Sequence, residues 1–279
     1  MRLVFFFLTY LLMTFCLGAN AQQRELIKTS SDFTPHYAFS NYFGAGLYSS
    51  TGQNIHVVNL PLFYEPKNQS EFKYRIRLPV SIGFYDFDIN DIDEFAPLED
   101  AATTTLTLGI EFDHWVNKHT KLVPFLDIGL SENFSANDRA IIYASGITAY
   151  NYFTAWQQQH TWLLRFQRAG YQTKNNISDG FSAIELGIDL RWPWQGRMAN
   201  NDVYLSNYFA SYWYTIDIAF DPTDFNPKAE TNALEAGLSV GLVQPWNLGL
   251  FKLERMGVGY RYSNNAPDII RISFNFPLD

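Results

Sequence analysis

Eleven charged residues recur where they could act together: Arg75, Arg77, Glu111, Asp127, Glu185, Asp189, Arg191, Glu235, Arg255, Arg261 and Arg271. Each falls on the polar side of a run in which apolar and polar residues alternate. A charge enclosed between strands must be paired or wet. Because both signs are present, the set predicts a salt-bridge network that narrows the enclosed space. A pore built for acidic solutes would instead carry a ladder of one sign, and the sequence has no such arginine ladder.

Other chemistries fare less well. Nucleophilic catalysis needs nucleophile, base and orienting group within hydrogen-bond reach. None of His36, His56, His114, His119 and His160 has a Ser two residues away, the spacing that puts both on one strand face. Asp113 and His114 are adjacent, so on a strand they point to opposite faces. The segment DFDINDIDEFAPLED, residues 86–100, opens like a calcium loop with Asp86, Asp88 and Asn90. It then departs from that pattern, with Asp91 where the loop needs Gly and Pro97 where it needs Glu. The expectation is a solvated acidic loop, no enzyme, no metal and no cofactor.

The elements that position the eleven charges are strands. In FKYRIRLPVSIGFY, residues 72–85, Phe72, Tyr74, Ile76, Leu78, Val80, Ile82 and Phe84 share one face, opposite Lys73, Arg75, Arg77, Ser81 and Gly83. Period two means a strand with one apolar and one polar face. The same alternation carries Leu106–Phe112, Leu122–Leu130, Ile184–Trp192, Leu234–Leu242 and Ile270–Phe276. Twelve strands are predicted, over 36–48, 54–64, 72–85, 103–113, 120–132, 140–153, 160–171, 181–193, 202–217, 231–243, 249–262 and 268–278. The segment AWQQQH at 154–159 lacks turn residues; without a hairpin there, the count falls to ten.

The polar face is mostly Gly, Ser and Thr with sparse charge, whereas the polar face of a soluble sandwich meets water. This pattern predicts a closed antiparallel transmembrane β-barrel, apolar toward lipid and polar toward a lumen. Tyr64, Phe112, Trp115, Trp192, Trp194, Trp246, Tyr260 and Tyr262 stand near strand ends, where interfacial aromatic girdles form. With both termini on the inner side, the two longest connections, 86–102 and 218–230, fall outside, and 65–71, 114–119, 154–159, 195–201 and 244–247 are short inner turns.

The first residues supply an address. Arg2 is followed by the apolar run Leu3–Leu17 and by Ala19-Asn20-Ala21, a secretory leader with cleavage between Ala21 and Gln22. Residues 22–34 would form a short periplasmic segment and 35–279 the barrel, with no separate soluble domain. Loss of Arg2 takes the net charge from −8 to −9, which disfavours a nucleic-acid partner. Charged residues make up 17% of the chain, against about 25% in an average soluble domain. The single cysteine, Cys16, lies in the leader.

The succession LTLGIEFDHWVNKHTKLVPFLDIGL (106–130), RAIIYASGITAYNYF (139–153), FSAIELGIDLRWPW (181–194) and NYFASYWY (207–214) resembles the solitary outer-membrane autotransporter-like β-barrel proteins. These are similar to the twelve-stranded translocator domain of autotransporters but carry no passenger. The resemblance implies a non-enzymatic Gram-negative outer-membrane barrel, with outer-membrane lipid, lipopolysaccharide and the barrel assembly machinery as partners. It brings no catalytic residues. The alternating strand Ile270, Ile272, Phe274 and Phe276 suits recognition by that machinery, although Pro277-Leu278-Asp279 follow it. The alternatives are a narrow porin-like channel for small solutes and a barrel enzyme acting on lipid or peptide.

Overall fold

The computed structural model describes residues 42, 46–50, 55–66, 73–85, 101–134, 138–174, 178–198, 201–219, 229–249, 251–263 and 268–275. The predicted leader, its cleavage site, residues 22–34 and the acidic loop 86–100 lie outside the described residues. Met1–Asp32 separates as a unit of its own, and everything described belongs to the unit Phe33–Asp279.

That unit is all β. Its strands are β1 Gly46–Ser50, β2 Ile55–Leu60, β3 Phe63–Tyr64, β4 Lys73–Arg77, β5 Val80–Tyr85, β6 Ala101–Trp115 and β7 Thr120–Asn133. They continue as β8 Asp138–Ala155, β9 Gln158–Thr173, β10 Ser178–Met198, β11 Asn201–Ala219, β12 Ala229–Leu248, β13 Phe251–Ser263 and β14 Ile269–Phe274. All pairings are antiparallel, and from β6 to β14 each strand pairs with the next in sequence. β14 pairs with β1, β1 with β2, β2 with β5, and β5 with β6. The sheet is curled, with an inner and an outer face.

The fourteen segments make twelve passes, because β2–β3 and β4–β5 are single strands interrupted at Pro61 and Pro79. Proline has no N–H to give the ladder. The broken pair is re-tied by Leu78 N–H to the Leu62 carbonyl at 2.8 Å and by Thr107 N–H to the Pro79 carbonyl at 3.2 Å. Pro124 has a related effect inside β7. Pairing to β6 lapses between Glu111–Phe125 and His114–Leu122, while the pairing to β8 runs through unbroken.

One expectation needs correction. The first strand, predicted at 36–48, is β1 at Gly46–Ser50, and Tyr42 has 3₁₀ backbone and a buried ring instead of strand geometry. The other residues from 36 to 45 lie outside the described set. The turn expected at 154–159 forms without turn residues, as a two-residue hairpin with Trp156 and Gln157 at φ 49° and 61°. Left-handed backbone costs a non-glycine residue on the order of 1 kcal/mol. Tertiary contacts offset this. Trp156 stacks on Trp192 with ring centres 5.1 Å apart, and His160, packed edge-on against Trp156, bonds the Ala155 carbonyl at 2.9 Å.

Apolar side chains cover the outer face: Leu106, Leu108, Leu126, Ile128, Leu130, Leu164, Leu234, Leu238, Val258, Ile270 and Ile272 are all exposed. The inner face holds Thr103, Thr105, Thr107, Gln167, Ser206, Ser239, Ser263 and Ser273, all buried, beside most of the charges. Among the described residues, no helix is long and apolar enough to cross a membrane.

Candidate functional site

All eleven sequence-selected charges lie on the inner face, and the fold gathers them into three groups. The tightest surrounds Glu235 on β12. Arg261 stands directly opposite it on β13 and donates from Nε at 3.0 Å. Arg271 on β14 also donates to this carboxylate. Tyr208 and Tyr212 on β11 donate their hydroxyls at 2.8 and 3.1 Å. Four donors on one carboxylate is close to its full acceptor capacity. Glu185 on β10 lies alongside, held by Arg165 of β9 at 3.1 Å, while Arg165 Nε donates to Thr148 Oγ1 at 3.0 Å.

The second group centres on Asp189 of β10. Arg255 crosses from β13 to donate to it at 2.9 Å, Ser206 donates its hydroxyl, and Arg191 lies 3.6 Å away. Arg255 spans two intervening strands because its cross-strand partner is Gly241. The third group is on the opposite side of the sequence. Arg75 on β4 pairs with Glu111, its neighbour across the ladder on β6. Arg77 lies 3.8 Å from Glu111 and 3.6 Å from Asp127. It reaches Asp127 over Gly109, which stands between them in the register.

No protein-family model, curated protein or solved structure matches this chain. The site is therefore read from its own chemistry.

The glycines of the inner face are slots. A Cβ on Gly109 would sit 1.7 Å from Asp127 Oδ1, one on Gly241 2.1 Å from the Tyr204 ring, and one on Gly237 2.4 Å from the Tyr208 ring. Large polar groups lie flat where the neighbouring strand has no side chain, which is the close approach that only glycine permits. The inner face around Tyr204 is thus filled, with the ring covered by both Arg191 and Arg255 at 4.8 and 5.7 Å.

Several participants were missed from the sequence. Arg165 shares parity with Leu163 and Gln167, inside, opposite Trp162, Leu164 and Phe166, outside; writing out that alternation would have found it. Tyr204, Tyr208 and Tyr212 were hidden because β11 carries aromatics on both faces, with Phe209 and Trp213 outward. Tyr42, buried in one apolar cluster with Val123, Phe125 and Leu163, has no signal in the strand pattern.

His160 accepts the Arg191 N–H at Nδ1, 3.1 Å, so Nε2 carries the proton given to the Ala155 carbonyl. Both ring nitrogens are spent on backbone. His114 and His119 are exposed around the turn between β6 and β7. Among the described residues no group of three or more His, Cys, Asp and Glu could hold a metal ion. What the arrangement offers chemically is charge neutralisation and close packing.

Proposed function

We propose that this chain is an integral outer-membrane β-barrel protein of a Gram-negative bacterium, autotransporter-like or structural and not an enzyme, with a lumen narrowed by its own ion pairs. One observation carries the reading, the inversion of the sheet's two faces. Isoleucine, leucine and valine cover the exposed face, while Arg255, Arg261, Arg271, Asp189, Glu185 and Glu235 are buried. Water as the outer solvent would favour the reverse; hydrocarbon favours what is seen.

Closure into a barrel is part of the proposal. It is supported by the circuit of pairings, which leaves β6 through β7 and returns to it through β5. A closed sheet satisfies every strand's backbone groups in lipid, as an open edge would not. Aromatics support the placing of the interfaces. Tyr64, Trp115, Trp156, Trp192, Trp194 and Trp246 are exposed toward the end with the shortest turns, and Tyr143, Tyr260 and Tyr262 toward the other.

Conductance of refolded protein in a planar bilayer tests the reading, with wild type beside the Arg75→Ala/Arg77→Ala double variant. Silence in the wild type and steady current in the variant is the expected result. Steady current in the wild type, altered in selectivity by the variant, would replace the structural role with a channel. Recovery of the native protein in a soluble periplasmic fraction would sink the membrane reading altogether.

A further inference from the structure

The inner face opens, at the end carrying the short turns, into a cavity of about 140 Å³. By that measure it holds on the order of ten waters, the space of a small organic molecule. Its walls come from both sides of the curl: the β2–β5 region with its two proline breaks, then β6 to β9, and finally β13 and β14. At the mouth Lys252 and Glu254 pair with each other at 2.7 Å.

Deeper in, the charges are layered. Arg75, Arg77 and Arg165 line the cavity with Glu111 beside them, and Glu65 lies 3.8 Å from Arg75. The balancing carboxylates Asp127 and Glu185 stand behind the guanidiniums, their side chains 0% and 3% exposed, while Arg75 and Arg77 are 30% and 23% exposed. Past the Lys252–Glu254 pair, a guest therefore meets guanidiniums before the carboxylates behind them. Arg77 is the least committed of them. Its two ion pairs, at 3.6 and 3.8 Å, exceed hydrogen-bond distance, so its N–H donors are not used by either carboxylate. Its guanidinium carbon lies over the Phe125 ring, 4.8 Å from the centre, and that of Arg75 over Phe63 at 5.5 Å. The fork thus rests over an aromatic ring, beyond hydrogen-bond distance of both carboxylates. Two parallel N–H bonds to a carboxylate are the geometry that such a fork matches. Leu62, Phe63, Val123 and Phe125 supply the apolar wall for the rest of the guest.

We propose that this cavity is a binding site for a small carboxylate with an apolar or aromatic body, recognised by Arg77 through its unused donors. The site needs only the curled sheet, so it stands or falls separately from the membrane reading.

Benzoate and benzamide are the probes, being alike in shape and different in charge. Calorimetric titration of the refolded full-length protein in a non-ionic detergent should show saturable benzoate binding, with benzamide weaker by roughly tenfold or more. Arg77→Gln should weaken benzoate by a similar factor while the thermal midpoint shows the protein still folded. Should that variant fail to fold, Phe125→Leu removes the ring over which the fork rests and should weaken benzoate several-fold. No saturable heat with benzoate, equal binding of the amide, or unchanged binding in the variants that fold would each overturn the proposal.

Discussion

The two walls of the curled sheet treat charge differently. On β10 to β14, Glu235 and Asp189 are enclosed with arginines whose side chains are at most 5% exposed, in the pairs of Arg255, Arg261 and Arg271, and hydroxyls of Tyr208, Tyr212 and Ser206 complete the contacts. On β2 to β7 the strands are interrupted at Pro61 and Pro79, and Arg77 holds its carboxylates at 3.6 and 3.8 Å. In the first wall the Glu235 carboxylate is surrounded by donors; in the second Arg77 sits beyond hydrogen-bond distance of both its carboxylates. Charge on the inner face therefore serves two ends. In one wall it joins five strands, and in the other it stays available to a guest.

This contrast can be broken. The largest effect belongs to Glu235→Ala, which strands Arg261 and Arg271 without a counter-charge in an enclosed space. A loss of about 3–5 kcal/mol is expected for a buried charge left unpaired, read as the midpoint of urea unfolding in detergent. Next is Gly237→Val, whose side chain would enter the Tyr208 ring and the Val258 carbonyl; overpacking of this kind costs about 1–3 kcal/mol in the same assay. Arg75→Ala, in the looser wall, removes a side chain that is part-exposed and leaves Glu111 near Arg77. Solvent screening reduces its value to about 1 kcal/mol. If Arg75→Ala cost as much as Glu235→Ala, the distinction between the walls would fail. The smallest effect is expected at Arg139→Ala, whose pair with Glu132 at 2.8 Å is open to solvent at the rim. It should stay within about 0.5 kcal/mol, and salt should abolish what there is.

The strands from residue 54 onward, and the faces of most of them, were legible because alternation of period two is a local property of the chain. FKYRIRLPVSIGFY states both its faces within fourteen residues. What alternation does not state is register, and register decides partners. Arg77 and Asp127 are far apart in sequence and on strands that do not pair; only the pairing of each to Gly109 brings them within 3.6 Å. The glycines were read as part of a polar lining, yet their role as slots depends on a ring carried by a neighbouring strand. The Trp156–Gln157 hairpin had no local turn chemistry because its support is the stack on Trp192, supplied from β10. Tyr42, inside the predicted strand 36–48, was misread for the same reason: an aromatic between Asn41 and Phe43 fits a strand until the wall it packs on is known.

The Tyr208 ring has one more consequence. It lies against the bare backbone of Gly237 on β12, and its hydroxyl occupies the place a Cβ of Gly259 on β13 would take. Three positions on three strands thus hold a single volume between them. For a lineage of such chains, they are one inherited character written in three places. A methyl group gained at either glycine is admissible only where the ring at 208 has already shrunk, and a ring at 208 only where both glycines persist.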